Sequence, residues 1–159
     1  MRAVLIECAA VALLLLAAGC GESPEEVFAE LRTAALEGEP KAVWRNLDAA
    51  TRAALAIEAA AYYRTTGSET GPLAPESREV YEYFAGLMAG LTAREREYIR
   101  SLSVSKVETD GDAATLTLRS FRWRPPEKPL LFKKVDGRWL WDAREVLEMY
   151  MDYRFVEGY

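Results

Sequence analysis

Two Asp-Gly pairs, Asp110-Gly111 and Asp136-Gly137, each lie between segments that alternate apolar and polar residues, and this constrains the fold more than any other feature of the chain. Asp-Gly readily takes the positive φ angles of a tight hairpin, so each pair predicts two antiparallel strands joined by a short turn. The predicted strands are 103–109 with 113–124 and, after Pro125-Pro126, Leu130 to Val135 with Arg138 to Asp142. Trp139 and Trp141 share one face of the last strand, and Phe121 and Trp123 share one face of the long strand. Leu116 and Leu118 fall on the opposite parity from Phe121 and Trp123. Either a bulge near Arg119-Ser120 switches faces and curves the sheet, or both faces are partly covered.

Upstream of residue 102 the apolar period is helical. Ser23-Pro24-Glu25-Glu26 combines an N-cap, a proline suited to the first helical position and the glutamate of a capping box. Val27, Phe28, Leu31 and Ala35 then form an apolar face, and Gly38 ends the helix. Pro40 opens a short helix through Leu47, and Asp48 caps an Ala-rich helix that runs to about Thr65. Residues 66–75, with two glycines and two prolines, read as a loop. Helices follow over 76–91 and, from a second capping box at Thr92 and Glu95, to Ser101. Residues 143–153 predict a closing helix with Val146, Leu147, Tyr150 and Met151 on its apolar face. The sum is an α+β domain: N-terminal helices packed on a curved antiparallel sheet of about four strands in two hairpins, closed by a C-terminal helix.

Histidine is absent, which excludes a Ser-His-Asp or Cys-His nucleophile, a His-ligated zinc and a His general base. The two cysteines, Cys8 and Cys20, both lie before the predicted domain, so no disulfide is expected within it. Stability then rests on burial, for which eight Tyr, five Phe and four Trp are ample. No glycine-rich phosphate loop or nucleic-acid signature occurs, and Asp110-Gly111-Asp112 suits a turn better than a cation loop. No metal and no cofactor are expected.

The first twenty residues carry an address. A basic start with Arg2 precedes an apolar run from Ala9 to Ala18, too short for a bilayer span and of signal-peptide length. Leu16-Ala17-Ala18-Gly19-Cys20 resembles the cleavage and lipid-attachment box of bacterial lipoproteins, with Cys20 as the sulfur that takes the diacylglycerol. That resemblance implies a signal peptide over 1–19, a lipidated tether over 20–22 and one domain over 23–159. It also implies a place in the cell envelope, lipid-anchored, with Gly21 after the cysteine pointing to the outer membrane facing the periplasm in a Gram-negative cell. An ordinary secretory signal cleaved near Ala18 or Gly19, or an uncleaved anchor over 3–19, are the alternatives, and both leave Cys20 without a role. Only Gly21 and Glu22 separate Cys20 from Ser23, a reach of roughly 10 Å at most, so the domain is expected to ride against the membrane.

Net charge is −5, unevenly spread. Residues 22–118 carry ten basic and seventeen acidic side chains, whereas residues 119–138 carry seven and two. The basic ribbon is Arg119, Arg122, Arg124, Lys128, Lys133, Lys134 and Arg138. It suits contact with an anionic surface or an acidic protein partner; its plainer reading is a solvated hairpin face protected by its charges from edge pairing.

The Ser23-Pro24-Glu25-Glu26 opening, the short Trp-bearing helix, and hairpins containing Val107-Glu108-Thr109-Asp110-Gly111 and Val135-Asp136-Gly137-Arg138-Trp139 resemble the nuclear-transport-factor-like cone superfamily. The nearest likeness is to its small lipoprotein members related to lumazine-binding-like domains. The resemblance implies a curved sheet and helices enclosing a pocket, used by some members for isomerase or dehydratase chemistry and by many for binding alone. Trp123, Trp139 and Trp141, with Phe121, are the candidate ligand-binding aromatics, and core packing is their other reading. Asp142 with Tyr62 or Tyr63 is the one imaginable acid and hydroxyl pair, and a helix cap with a core hydroxyl is its other reading. No residue matches a catalytic motif. The expectation is a non-enzymatic binding or interaction module on a lipid anchor; a histidine-free isomerase or dehydratase pocket is the alternative.

Overall fold

The computed structural model describes residues 22–67 and 71–148, and within them the chain is α+β, five helices followed by a four-stranded antiparallel meander. The helices are α1 (Pro24–Glu37), α2 (Pro40–Arg45), α3 (Ala49–Thr65), α4 (Arg78–Ala89) and α5 (Ala93–Ser101). The strands are β1 (Leu102–Asp110), β2 (Ala113–Ser120), β3 (Leu130–Val135) and β4 (Arg138–Asp142), in spatial order β1-β2-β3-β4. A helical turn over 144–148 follows. The remainder of the closing helix expected to 153, with Tyr150 and Met151, lies outside the described residues, as does the Leu16 to Cys20 box.

Both capping boxes form. Ser23 N donates to Glu26 Oε2 at 2.7 Å while Glu26 N donates to Ser23 Oγ at 3.2 Å, and Thr92 and Glu95 repeat the exchange. Gly38 closes α1 at φ 75, the left-handed region in which glycine has no Cβ penalty. Helix α4 starts two residues later than its apolar period suggests, because Ser77 is extended and serves as the N-cap position, and it stops before Gly90.

In the sheet, register corrects three expectations. The long strand does not reach residue 124: β2 ends at Ser120, whose Oγ accepts from the backbone N–H groups of Arg122 and Trp123 at 3.2 and 2.9 Å. That local turn diverts the chain, so Phe121 and Trp123 are loop residues and their parity with Leu116 and Leu118 places no demand on the strand. The bulge lies in β1 instead, where the register slips between Val104 and Lys106. It lets Leu102, Val104 and Val107, which do not alternate strictly, all face the side occupied by Leu116 and Leu118. At the first hairpin the two central residues are Gly111 and Asp112, since Asp110 pairs with Ala113 and Gly111 alone has positive φ. The second hairpin turns on Asp136 and Gly137, at φ 50 and 80, the pair of positive angles that defines a type I′ turn.

One sheet edge is covered. Trp141 N donates to Asn46 O at 2.7 Å and Asp48 N donates to Trp141 O at 3.0 Å, so the link between α2 and α3 lies along β4 as a parallel bridge centred on Leu47. Pairing the outward N–H and C=O of Trp141 blunts the β4 edge at that point against unwanted strand addition. The core lies between the helices and one face of the sheet, where Val27, Leu55, Val80, Leu116 and Phe132 are its largest fully buried apolar side chains.

Candidate functional site

Register puts Ala114, Leu116 and Leu118 of β2, Leu130 and Phe132 of β3, and Trp139 and Trp141 of β4 on the helix-covered face. In a cone this face would line the pocket. Here Leu116 and Phe132 are 0% and 1% exposed, packed in one cluster with Val27, Phe28 and Leu31 of α1 and Leu55 of α3. These positions are filled by the protein's own side chains, leaving no lining surface at Leu116 or Phe132 for a ligand.

The three candidate tryptophans do not converge. Trp139 is buried in the core cluster, with Lys134 Nζ 5.6 Å from its ring centroid. Trp141 packs against the cluster, and its backbone holds the Asn46–Asp48 link. Trp123 lies past the end of β2, a strand that β3 separates from β4, between Arg94 of α5 at 5.4 Å and Arg122 at 6.0 Å. The indole N–H groups of Trp123 and Trp141 are shielded and have no acceptor among the described residues.

Asp142 is the most strongly perturbed carboxylate of the described chain. Its side chain is 4% exposed. Arg144 donates to both carboxylate oxygens, Nε at 2.9 Å and Nη2 at 2.7 Å, and Lys133 Nζ donates at 2.9 Å. The Arg144 guanidinium first, and Lys133 with it, outweigh desolvation and hold the Asp142 carboxyl well below the usual carboxylate range, while Lys133 and Arg144 are themselves pushed up by the same hydrogen bonds. Lys133 Nζ also lies 3.6 Å from Asp48 Oδ2, and Asp48 Oδ1 accepts from Thr51 N at 2.7 Å as the cap of α3. Thr51 Oγ1 in turn accepts from Ala143 N at 2.8 Å, which fastens the end of β4 to the first turn of α3.

A carboxylate so stabilised in its charged form is a poor proton donor or acceptor near neutrality. Nor do the tyrosines stand beside it. Thr51 marks the Asp142 end of α3, and Tyr62 is roughly 16 Å further along the helix axis at 1.5 Å per residue. Tyr62 is half exposed, and the Tyr63 hydroxyl donates to Glu79 O at 3.2 Å. Desolvation, with Glu82 nearby, pushes the Tyr63 phenol above its ordinary value. Asp142 and the two tyrosines therefore form no catalytic pair; Asp142 accepts from Arg144 N at 3.4 Å, at the start of the 144–148 turn.

The basic ribbon divides into separate groups. Arg119, Lys133 and Arg138 point by register to the outer face of the sheet, where Arg119 reaches Ser103 Oγ at 3.3 Å and Arg138 reaches Asn46 Oδ1 at 3.5 Å. Lys133 is absorbed by Asp142, and Lys134 lies over Trp139. Arg122, Arg124 and Lys128 remain in the β2–β3 connection, where their ion-pair partners are exposed acids: Glu97 at 3.7 Å, Glu127 at 2.6 Å and Glu145 at 3.3 Å.

Two features escaped the sequence reading. Phe121 is 85% exposed at the head of that same connection, where strand alternation had suggested a covered ring. An open groove of about 480 Å³ runs beside α3, lined by Ala53, Ala56, Ile57 and Ala60 with Pro72 and Leu73. Small side chains at helical spacing are the only sequence signal for the groove, and they are equally a signal for close helix packing. Among the described residues no three Cys, Asp or Glu side chains converge as a metal site, and no helix is long and apolar enough to cross a membrane. Comparison of the chain with protein-family models, with curated proteins and with solved structures gives no match.

Proposed function

We propose that this chain is a cell-envelope lipoprotein, anchored through an acylated Cys20, whose α+β domain is a non-enzymatic binding or interaction module. The observation that carries the proposal is the juxtaposition of the Leu16-Ala17-Ala18-Gly19-Cys20 box with a capped helix that begins only three residues later at Ser23. A cysteine that directly follows such a leader and sits three residues before a folded domain has a use as an anchor. With each buried methylene contributing about 0.8 kcal/mol, two or three acyl chains would hold the domain at the bilayer effectively permanently.

Binding is favoured over catalysis by the absence of histidine, by the side chains that fill the sheet's covered face, and by Asp142 being locked as a carboxylate far from Tyr62. Kinship with the nuclear-transport-factor-like cones belongs to the same proposal. A β1 bulge that bends the sheet and a helices-then-meander chain order support it.

Replacing Cys20 by Ala in the producing cell tests the proposal. The wild type should partition with membranes and carry acyl mass, and C20A should lose both the acyl mass and normal processing. A C20A chain that is processed and partitions like the wild type refutes it.

A further inference from the structure

The β2–β3 connection carries an arrangement that the core does not explain. Phe121, 85% exposed, is the most exposed large hydrophobic side chain of the described residues. Arg119 precedes it; Arg122, Arg124 and Lys128 follow, with side chains 64%, 82% and 60% exposed. Across 119–128 the only acid is Glu127, in a chain whose net charge is −5. Exposed ion pairs such as these contribute little, so the three cations can leave Glu97, Glu127 and Glu145 for stronger anionic partners. Half-buried Trp123, flanked by Arg94 and Arg122, anchors the loop, and Pro125, Pro126 and Pro129 restrict its backbone.

We infer that this connection is a bilayer-contact site: Phe121 enters the headgroup and acyl boundary of an anionic membrane while Arg119, Arg122, Arg124 and Lys128 engage lipid phosphates. An exposed aromatic ring flanked in sequence by arginines suits that boundary, since the ring gains apolar burial and each guanidinium stays among phosphates. Anionic lipid is the fitting partner because the loop is basic within an acidic molecule, and the bilayer is the surface nearest a domain on a three-residue tether. The inference deepens the lipoprotein reading by fixing which end of the sheet faces the membrane.

The test is an environment-sensitive thiol dye placed in the full-length protein, purified from membranes and reconstituted in vesicles. Phe121→Cys carries the probe at the loop. Asp112→Cys carries it at the hairpin tip at the far end of β2, roughly 26 Å from Ser120 at about 3.3 Å per residue. In vesicles of equal parts phosphatidylglycerol and phosphatidylcholine, emission at position 121 should shift to the blue and brighten several-fold, and emission at 112 should stay aqueous. In pure phosphatidylcholine the shift at 121 should be largely lost, and R122E/R124E in the Phe121→Cys background should abolish it. Equal emission at the two positions in anionic vesicles overturns the inference, as does a shift at 121 indifferent to lipid charge, the result expected of a loop built for a protein partner. Dye on the wild-type chain would report a free Cys20 thiol, which tells against the anchor; the difference between positions 121 and 112 subtracts that signal and reads the loop alone.

Discussion

The ion cluster at the end of β4 predicts an asymmetry between removing its acid and removing its bases. Asp142 is buried at 4% side-chain exposure, whereas Lys133 and Arg144 are 47% and 49% exposed. In Asp142→Asn the two cations are left half in water and can rehydrate, so the cost is the loss of charge-assisted hydrogen bonds, discounted for screening, at about 2 kcal/mol. In the double variant Lys133→Met/Arg144→Met the buried carboxylate keeps its charge and loses its partners, and the cost rises to about 3–5 kcal/mol. Urea unfolding followed by tryptophan fluorescence reads both, because Trp139 and Trp141 lie in the same strand. The pH dependence supplies an internal check. A carboxyl depressed in the native state contributes stability that is fully present above its ordinary value of 3.8 and is lost as pH falls through the depressed native value. The gap between wild type and Asp142→Asn should therefore hold near neutrality and close in acid below that value. Lys133, raised by the same contact, contributes below its ordinary value of 10.5 and loses that contribution as pH climbs through its higher native value. A double variant less costly than Asp142→Asn, or a gap that widens in acid, would refute the reasoning.

Other perturbations have separate readouts in the same unfolding assay. Ser120→Ala removes the hydroxyl that ends β2 and its 2.7 Å contact with Ser101, and should cost about 1–2 kcal/mol while quenching of Trp123 by solvent increases. Gly137→Ala places a Cβ at φ 80 and should cost about 1 kcal/mol or more, with no steric neighbour to blame since nothing lies within 4 Å. Phe121→Ser should leave stability within about 0.5 kcal/mol of wild type, in keeping with an exposed ring, and a larger loss would show the ring to be packed.

Helix caps, breaks and hairpins were legible because each is written in residues with local physics. Ser23 with Glu26, Thr92 with Glu95, Gly38, and the glycines of both turns act within a few positions of themselves. The long strand failed where local chemistry competed with alternation: the Ser120 hydroxyl turns the backbone, and parity alone made Phe121 and Trp123 look like strand residues. The bulge was misplaced: parity put it near Arg119-Ser120, whereas the register slips in β1, where Leu102, Val104 and Val107 reveal their common face only against Leu116 and Leu118. Asp142 was visible as a candidate, while its state was not, since Lys133 reaches it from the neighbouring strand and Arg144 folds back onto it from the turn that follows. The ribbon of seven cations is contiguous in sequence and dispersed in space because a hairpin sends neighbours to opposite faces.

The anchor is tested most directly by the mass of the amino-terminal peptide of protein purified from membranes of the producing cell. The predicted peptide begins at Cys20 and carries at least the mass of a thioether-linked diacylglycerol. A peptide that begins at Met1, or a Cys20 whose thiol is free, would contradict the account.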